Sequence, residues 1–239
     1  MVLRYGDEHR SQVGELFRPE GAGPAPVAVV LHGGFWKQRY DRHLMDGLCR
    51  DLAGRGWAAW NVEYRRVGLH GGGGWPETFA DVAAAIDHLA AMDGLDLGRV
   101  VTIGHSAGGH LALWVAARPG LPAGAPGAEP RVRVTHAAAQ AGVSDLAEAA
   151  RLGLGGGAAE RLTRGRPEAY ELGSPRARLP LSVPQLLVHG TGDDTVPVGM
   201  SRDYAAATDE AELVEYGGGH YEHIDPASEA WRAVVEWLP

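Results

Sequence analysis

The chain has 239 residues, 45% of them hydrophobic and 22% charged, with a formal net charge of −8. That balance supports one sizeable core, excludes a disordered chain, and argues against nucleic acid or an anionic membrane surface as main partner. The one cysteine, Cys49, excludes an internal disulfide; no basic region followed by an apolar stretch opens the chain and no run of about 18 apolar residues occurs, so a soluble cytoplasmic location is the expectation.

In chain order, the first 20 residues read as a hairpin, with strands near Val2–Tyr5 and Val13–Phe17 that add antiparallel strands at one sheet edge. Val27–Leu31 is a short apolar strand. Leu44–Leu52 reads as a helix, with Leu44, Leu48 and Leu52 at four-residue spacing and Cys49 buried among them. Trp57–Val62 is the next strand. A helix over Thr78–Met92 puts Phe79, Val82, Ile86 and Leu89 on one face, with Thr78 as its N-cap. Val100–Ile103 is a strand, Ala107–Ala117 a helix, and Val132–Ala139, Gln185–His189 and Glu212–Tyr216 are further strands. A closing helix spans about Ala227–Leu238, preceded at a distance by Asp145, which reads as the cap of another helix. Short apolar strands alternating with helices predict an α/β fold: a mostly parallel sheet of about eight strands, helices on both faces. Gly68–Gly74, Pro119–Pro130 and Leu146–Pro184 break the rhythm. They read as a mobile flap, a surface loop, and a small lid-like insertion over 146–184 within a single domain of residues 1–239.

The segment carrying most information is Gly104-His105-Ser106-Ala107-Gly108, set between the strand at Val100–Ile103 and the helix that opens at Ala107. This is the G-x-S-x-G elbow in the strand–turn–helix context it requires, with Ser106 as the nucleophile. A serine hydroxyl needs a histidine to take its proton and an acid to orient that histidine. Both follow on loops after later strands: Asp193 and Asp194 after Gln185–His189, and His220 and His223 after Glu212–Tyr216. His220 directly follows three glycines, where a tight loop can turn an imidazole inward. Chemistry alone does not separate Asp193 from Asp194. The His220-x-x-His223 spacing lacks a strong third ligand nearby, so no metal is expected. Leu31-His32-Gly33-Gly34-Phe35-Trp36 follows the strand at Val27, and the N–H groups of Gly34, Phe35 and Ala107 are the candidates for an oxyanion hole.

These motifs together resemble the α/β-hydrolase superfamily over nearly the whole chain. His32-Gly33-Gly34-Phe35-Trp36 resembles the signature of kynurenine formamidases (arylformamidases) and their esterase relatives. Gly104–Ala112 is similar to the elbow of that group, Gly219-His220-Tyr221 to its histidine loop, and Trp60–Arg65 to a strand and turn common among microbial carboxylesterases. The resemblance of His189–Asp193 with Val196-Pro197 to the acid loop implies that Asp193 is the acid. Phe35 stands where hormone-sensitive-lipase-like esterases carry a third glycine, which points away from that branch.

Trp36, Trp75 and Tyr221 are candidate substrate-binding residues lining an apolar, planar acyl or aryl pocket. Arg65 and Arg66 are read as surface salt-bridge partners, with a substrate carboxylate as the other option. The expected function is a serine hydrolase of small esters or aryl formamides, without cofactor, acting on a small-molecule substrate as a monomer or homodimer. The alternatives are a small peptidase or lactone hydrolase on the same triad, or a non-catalytic ligand-binding protein on this scaffold. A lipase lid is not visible.

Overall fold

The structure is a computed structural model, and it describes residues 1–21 and 23–239. Eight strands form one sheet: β1 (Val2–Arg4), β2 (Val13–Phe17), β3 (Ala25–Leu31), β4 (Ala58–Val62), β5 (Leu95–His105), β6 (His136–Gln140), β7 (Gln185–Gly190) and β8 (Ala211–Tyr216). Their spatial order is β1-β2-β4-β3-β5-β6-β7-β8. β1, β2 and β4 pair antiparallel, and β4 through β8 run parallel. The expected α/β-hydrolase architecture, antiparallel edge included, is the one observed.

Alternation along the buried strands sorts side chains to two cores. On β3, Val27, Val29 and Leu31 face one core, and Ala28 and Val30 face the other. The first core is covered by α2 (Glu77–Asp87) and α3 (Ala107–Ala117), and the second by α1 (Asp46–Gly54) and α8 (Glu229–Trp237), whose Leu48, Cys49, Leu52, Trp231 and Val234 pack inward. Every residue of α3 is buried, because the helix runs between sheet and neighbouring helices. Its sequence is therefore apolar all round rather than amphipathic.

Several boundaries differ from expectation. The helix expected at Leu44–Leu52 begins with a 3-10 turn, Arg42–Met45, and Leu44 faces outward, 37% exposed. Thr78 does not cap α2. It is buried inside the first turn, where its Oγ1 donates to the carbonyl of Arg65 and accepts from the N–H of Gly74. β6 starts four residues later than the apolar run suggested, since Val132 donates instead to the carboxylate of Asp87. Asp145 does cap α4 (Leu146–Arg151), accepting from the N–H groups of Ala147 and Glu148.

The insertion holds α4, α5 (Leu154–Thr163) and α6 (Pro167–Gly173). Left-handed backbone at Gly155, Gly156 and Gly157 kinks the start of α5. The Gly68–Gly74 segment folds back on Arg65–Val67, with Gly73 donating to Arg66 and Arg164 donating to Gly73. Its tip, Leu69 and His70, stands in solvent. Among the described residues no helix is long and apolar enough to cross a membrane.

The chain runs from β3 outward to β4 and then returns past β3 to β5. That reversal makes the space beyond the carboxyl ends of β3 and β5 a topological switch point, where open α/β sheets bind ligands.

Candidate active site

Ser106 sits between β5 and α3, at the turn the elbow motif demands. Its φ of 56° and ψ of −117° lie in a region that L-residues avoid. Close approach explains the flanking glycines. A Cβ on Gly104 would collide with the carbonyl of Gly108, and one on Gly108 with the carbonyl of Leu31. The N–H of Ser106 donates to the carbonyl of Gln140 at 2.8 Å, which fixes the turn against β6. Ala107 is the first residue of α3, so its N–H has no intrahelical acceptor.

Ser106 and His220 line one cleft of about 110 Å³. Gly34, Phe35, Tyr40, Leu44, His105, Thr195, Tyr221 and Ile224 complete its lining. Gly34 and Phe35 both have positive φ, and the turn closes with Lys37 donating to the carbonyl of Gly34 at 2.9 Å. The residues expected to supply oxyanion donors thus lie beside Ser106.

Geometry separates the competing acids and bases. His220 Nδ1 lies 2.7 Å from Asp193 Oδ2, while Asp194 is exposed and accepts from the hydroxyl of Thr195. The other oxygen of Asp193 accepts from the N–H groups of Thr195 and Val196, each at 2.8 Å. His189 Nε2 donates to the carbonyl of Val196 at 2.9 Å and stands 3.3 Å from Asp193 Oδ2. Burial alone would raise the Asp193 carboxyl. The hydrogen bonds from His189, His220 and Val196 outweigh it and hold the group far below the usual carboxylate range. His223 is fully buried, with its ring against those of His105, His189 and Tyr216 rather than in the cleft.

The glycine loop rests on a second polar group. Glu63, at the end of β4, faces His32 Nε2 at 3.1 Å, accepts from the N–H groups of Tyr64 at 2.9 Å and Arg42 at 3.2 Å, and pairs with Arg66 at 3.3 Å. Tyr64 stacks on His32, with ring centroids 4.4 Å apart, and donates its hydroxyl to the His32 carbonyl at 2.7 Å. Burial pushes the Glu63 carboxyl up, but the His32 hydrogen bond, the Arg66 guanidinium and the Tyr64 N–H prevail, and its pKa lies below the usual value. Arg65 is spent on buried Asp81, at 2.7 Å, and Arg66 on Glu63 and the Tyr40 carbonyl. Neither guanidinium lines the cleft.

Two of the three expected substrate contacts need correction. Trp36 is 1% exposed and lies edge-on to His110 in the core. Consecutive positive φ values at Phe35 and Trp36 send these neighbours to opposite sides of the loop, so only Phe35 reaches the cleft. Trp75 is also buried, edge-on to Phe79, with its N–H groups donating to Leu162 and Glu168. It fastens the insertion to the body. Tyr221 does line the cleft and is 66% exposed. No residue of 68–74 or 146–184 lines it, although Gly155 packs on the Phe35 ring and accepts from Lys37 Nζ at 2.8 Å. Sequence reasoning missed Tyr40, Leu44, His105, Thr195 and Ile224 at the cleft, and His189 and Glu63 behind it. The polar side chains at strand ends were the available signal.

Comparison with known proteins finds relatives that are named esterases. Esterase LipC of Mycobacterium tuberculosis H37Rv is 29% identical over 219 residues, covering 84% of this chain and 52% of LipC. Esterase LipQ of the same organism is 28% identical, with 87% and 52% covered. The chain thus spans about half the length of these curated relatives. Thermogutta terrifontis esterase 2, solved phosphoramylated by tabun, superposes with a TM-score of 0.80 at 26% identity, covering 99% of this chain and 90% of that one. A truncated carbohydrate esterase from gut microbiota shares the fold, with a TM-score of 0.83 at 20% identity over 100% of this chain and 95% of that one. The BD-FAE family model matches residues 15–207, and the chain belongs to the BD-FAE family.

Proposed function

We propose that this chain is a serine hydrolase of small carboxylic esters, working through an acyl-enzyme on Ser106, His220 and Asp193. The observation that carries the reading is the 2.7 Å contact of His220 with Asp193 beside a backbone-strained Ser106 in the same cleft. The esterase names of the relatives and the BD-FAE match support it.

Ser106 Oγ attacks the carbonyl carbon while the His220 ring takes its proton at Nε2. Asp193 holds the Nδ1–H and stabilises the imidazolium that forms. N–H groups of Gly34, Phe35 and Ala107 stabilise the oxyanion, each worth about 10²–10³-fold in rate. His220 then protonates the leaving alcohol or amine, and water releases the acid by the same steps in reverse. Water exclusion falls to the apolar walls, Phe35, Leu44 and Ile224.

A cavity of about 110 Å³ favours a short acyl group. The same Thermogutta esterase has been solved with propionate and with butyrate bound, which agrees with that size. Aryl formamides are the second substrate class, because Phe35, Tyr40 and Tyr221 offer planar surfaces to an aromatic leaving group. The deciding experiment compares rates on p-nitrophenyl acetate, p-nitrophenyl butyrate and N-formyl-kynurenine, with Ser106→Ala as control. A kcat/KM of about 10⁴ M⁻¹s⁻¹ or more on an ester, within the normal enzyme range, is the expected result. Deformylation at that rate with negligible ester turnover reverses the order of the two classes, and full activity in Ser106→Ala removes the mechanism.

A further inference from the structure

Four histidines, His105, His189, His220 and His223, gather at and behind the cleft, and the proposed chemistry uses only His220. His105 is the last residue of β5, one position before the nucleophile. Its Nε2 lies 2.8 Å from the main-chain oxygen of His220. A carbonyl only accepts, so this nitrogen carries the proton and donates. The two rings lie 4.6 Å apart, and His105 is 3% exposed.

Sheet register makes this contact part of a row. His105 of β5 pairs with Gln140 of β6, which pairs with Val188 of β7, the residue before His189. Three adjacent strand ends therefore each reach forward. His105 holds the His220 carbonyl, Gln140 Nε2 donates to the His223 carbonyl at 2.8 Å, and His189 contacts Asp193. Of the three, only His105 is joined to Ser106 by a peptide bond. The loop it holds begins Gly217-Gly218-Gly219, which brings no side chains of its own to pack.

We propose that His105 is a positioning residue: its Nε2–H ties the main chain of His220 to the strand end that carries Ser106, so that base and nucleophile share one frame. The proposal rests on the Ser106–His220–Asp193 reading. A neutral donor is needed, since a second cation beside His220 would oppose the imidazolium formed during turnover. Burial lowers the His105 pKa to about 3, which keeps the ring neutral at working pH.

The test uses the full chain with His105→Phe, which keeps a ring and removes the donor, and His105→Gln, which keeps an N–H at similar reach. Active sites are counted by stoichiometric labelling with a fluorophosphonate, and kcat and KM on p-nitrophenyl acetate are expressed per labelled site. His105→Phe is expected to lose about 10²-fold in kcat, the scale of an ångström's misplacement of a reacting group, with KM little changed. His105→Gln is expected to recover most of it. Should His105→Phe not fold, His105→Asn replaces it: the same amide, one methylene too short to reach the carbonyl, and it is expected to behave as the loss. Wild-type kcat per site without the donor, or equal impairment in the Gln and donor-less variants, overturns the proposal. So does a deficit that resides wholly in the number of labelled sites. Wild-type turnover in Ser106→Ala is a separate result, which removes the underlying reading instead.

Discussion

Two buried polar networks flank Ser106, and they are built differently. Under the glycine loop, Glu63 takes His32, two backbone N–H groups and Arg66, and Tyr64 covers the imidazole. Behind His220, one carboxylate, Asp193, is surrounded by histidines, and both ring nitrogens of His223 lack a hydrogen-bond partner among the described residues. The first network is centred on a fixed charge that takes several donors and a cation, and suits a scaffold. The second contains rings that burial keeps neutral, with His105 lowered to about 3 and His223 to about 2, so neither competes for the proton that the proposed mechanism takes from Ser106. A fixed charge with several partners gives rigidity, whereas a shortage of competing bases gives a proton one place to go.

The sharpest way to break that contrast is Asp193→Asn. It is expected to lower kcat about 10⁴-fold, the scale seen when a triad histidine loses its orienting acid, measured by steady-state kinetics on an activated ester. A change under about tenfold would put Asp193 in the scaffold class. Trp36→Ala tests the core beneath the glycine loop. It is expected to cost about 3–5 kcal/mol of stability in denaturant unfolding, because a buried indole leaves a cavity. A fully folded variant with altered acyl preference would return Trp36 to the cleft. Glu63→Gln is expected to cost about 3 kcal/mol, near the low end for breaking a buried ion pair, and to lower Tm by roughly 6–12 °C. An unchanged Tm with reduced kcat would make this network catalytic instead.

Acid should expose the neutral histidines collectively. His105, His110 and His223 have folded pKa values near 3, 4 and 2 against an ordinary 6.5, chiefly through burial. Below pH 6.5 the unfolded chain binds protons that the folded chain refuses. Their contribution is therefore complete above pH 6.5 and is lost progressively as pH falls from there through 4, 3 and 2, with a limiting slope of about 4 kcal/mol per pH unit while all three are still unprotonated in the folded chain. Asp193 and Glu63, whose carboxyls are depressed, add a further loss as pH falls below the ordinary carboxylate range. Denaturant midpoints measured from pH 7.5 to 4.5 check the sign, and a flat profile contradicts it. The smallest expected effect is Tyr221→Ala, which should lower kcat/KM for an aromatic leaving group by up to about tenfold and leave an alkyl ester nearly unaffected.

Much of this was legible in residues that act locally. The glycines around Ser106 announce a tight elbow, and the apolar runs at Val13–Phe17 and Gln185–His189 fall on β2 and β7. What depended on long-range register was not legible. Nothing near His105 in the chain indicates that it meets the carbonyl of His220, because that contact follows from which strands are neighbours. Phe35 and Trp36 are adjacent aromatics beside a glycine pair, and only their backbone angles send one to the cleft and the other to the core. Leu44 fits a helical stripe with Leu48 and Leu52, yet it falls in the turn before α1 and rims the cleft.

The central claim is that Ser106 is a nucleophile activated by His220. The most direct measurement is intact-mass and peptide-level mass spectrometry after brief exposure to a fluorophosphonate, run on the wild-type chain, Ser106→Ala and His220→Ala. The account predicts one adduct per chain, located on Ser106, absent from Ser106→Ala and formed far more slowly in His220→Ala. An adduct on another residue, or labelling of equal rate without His220, would contradict it.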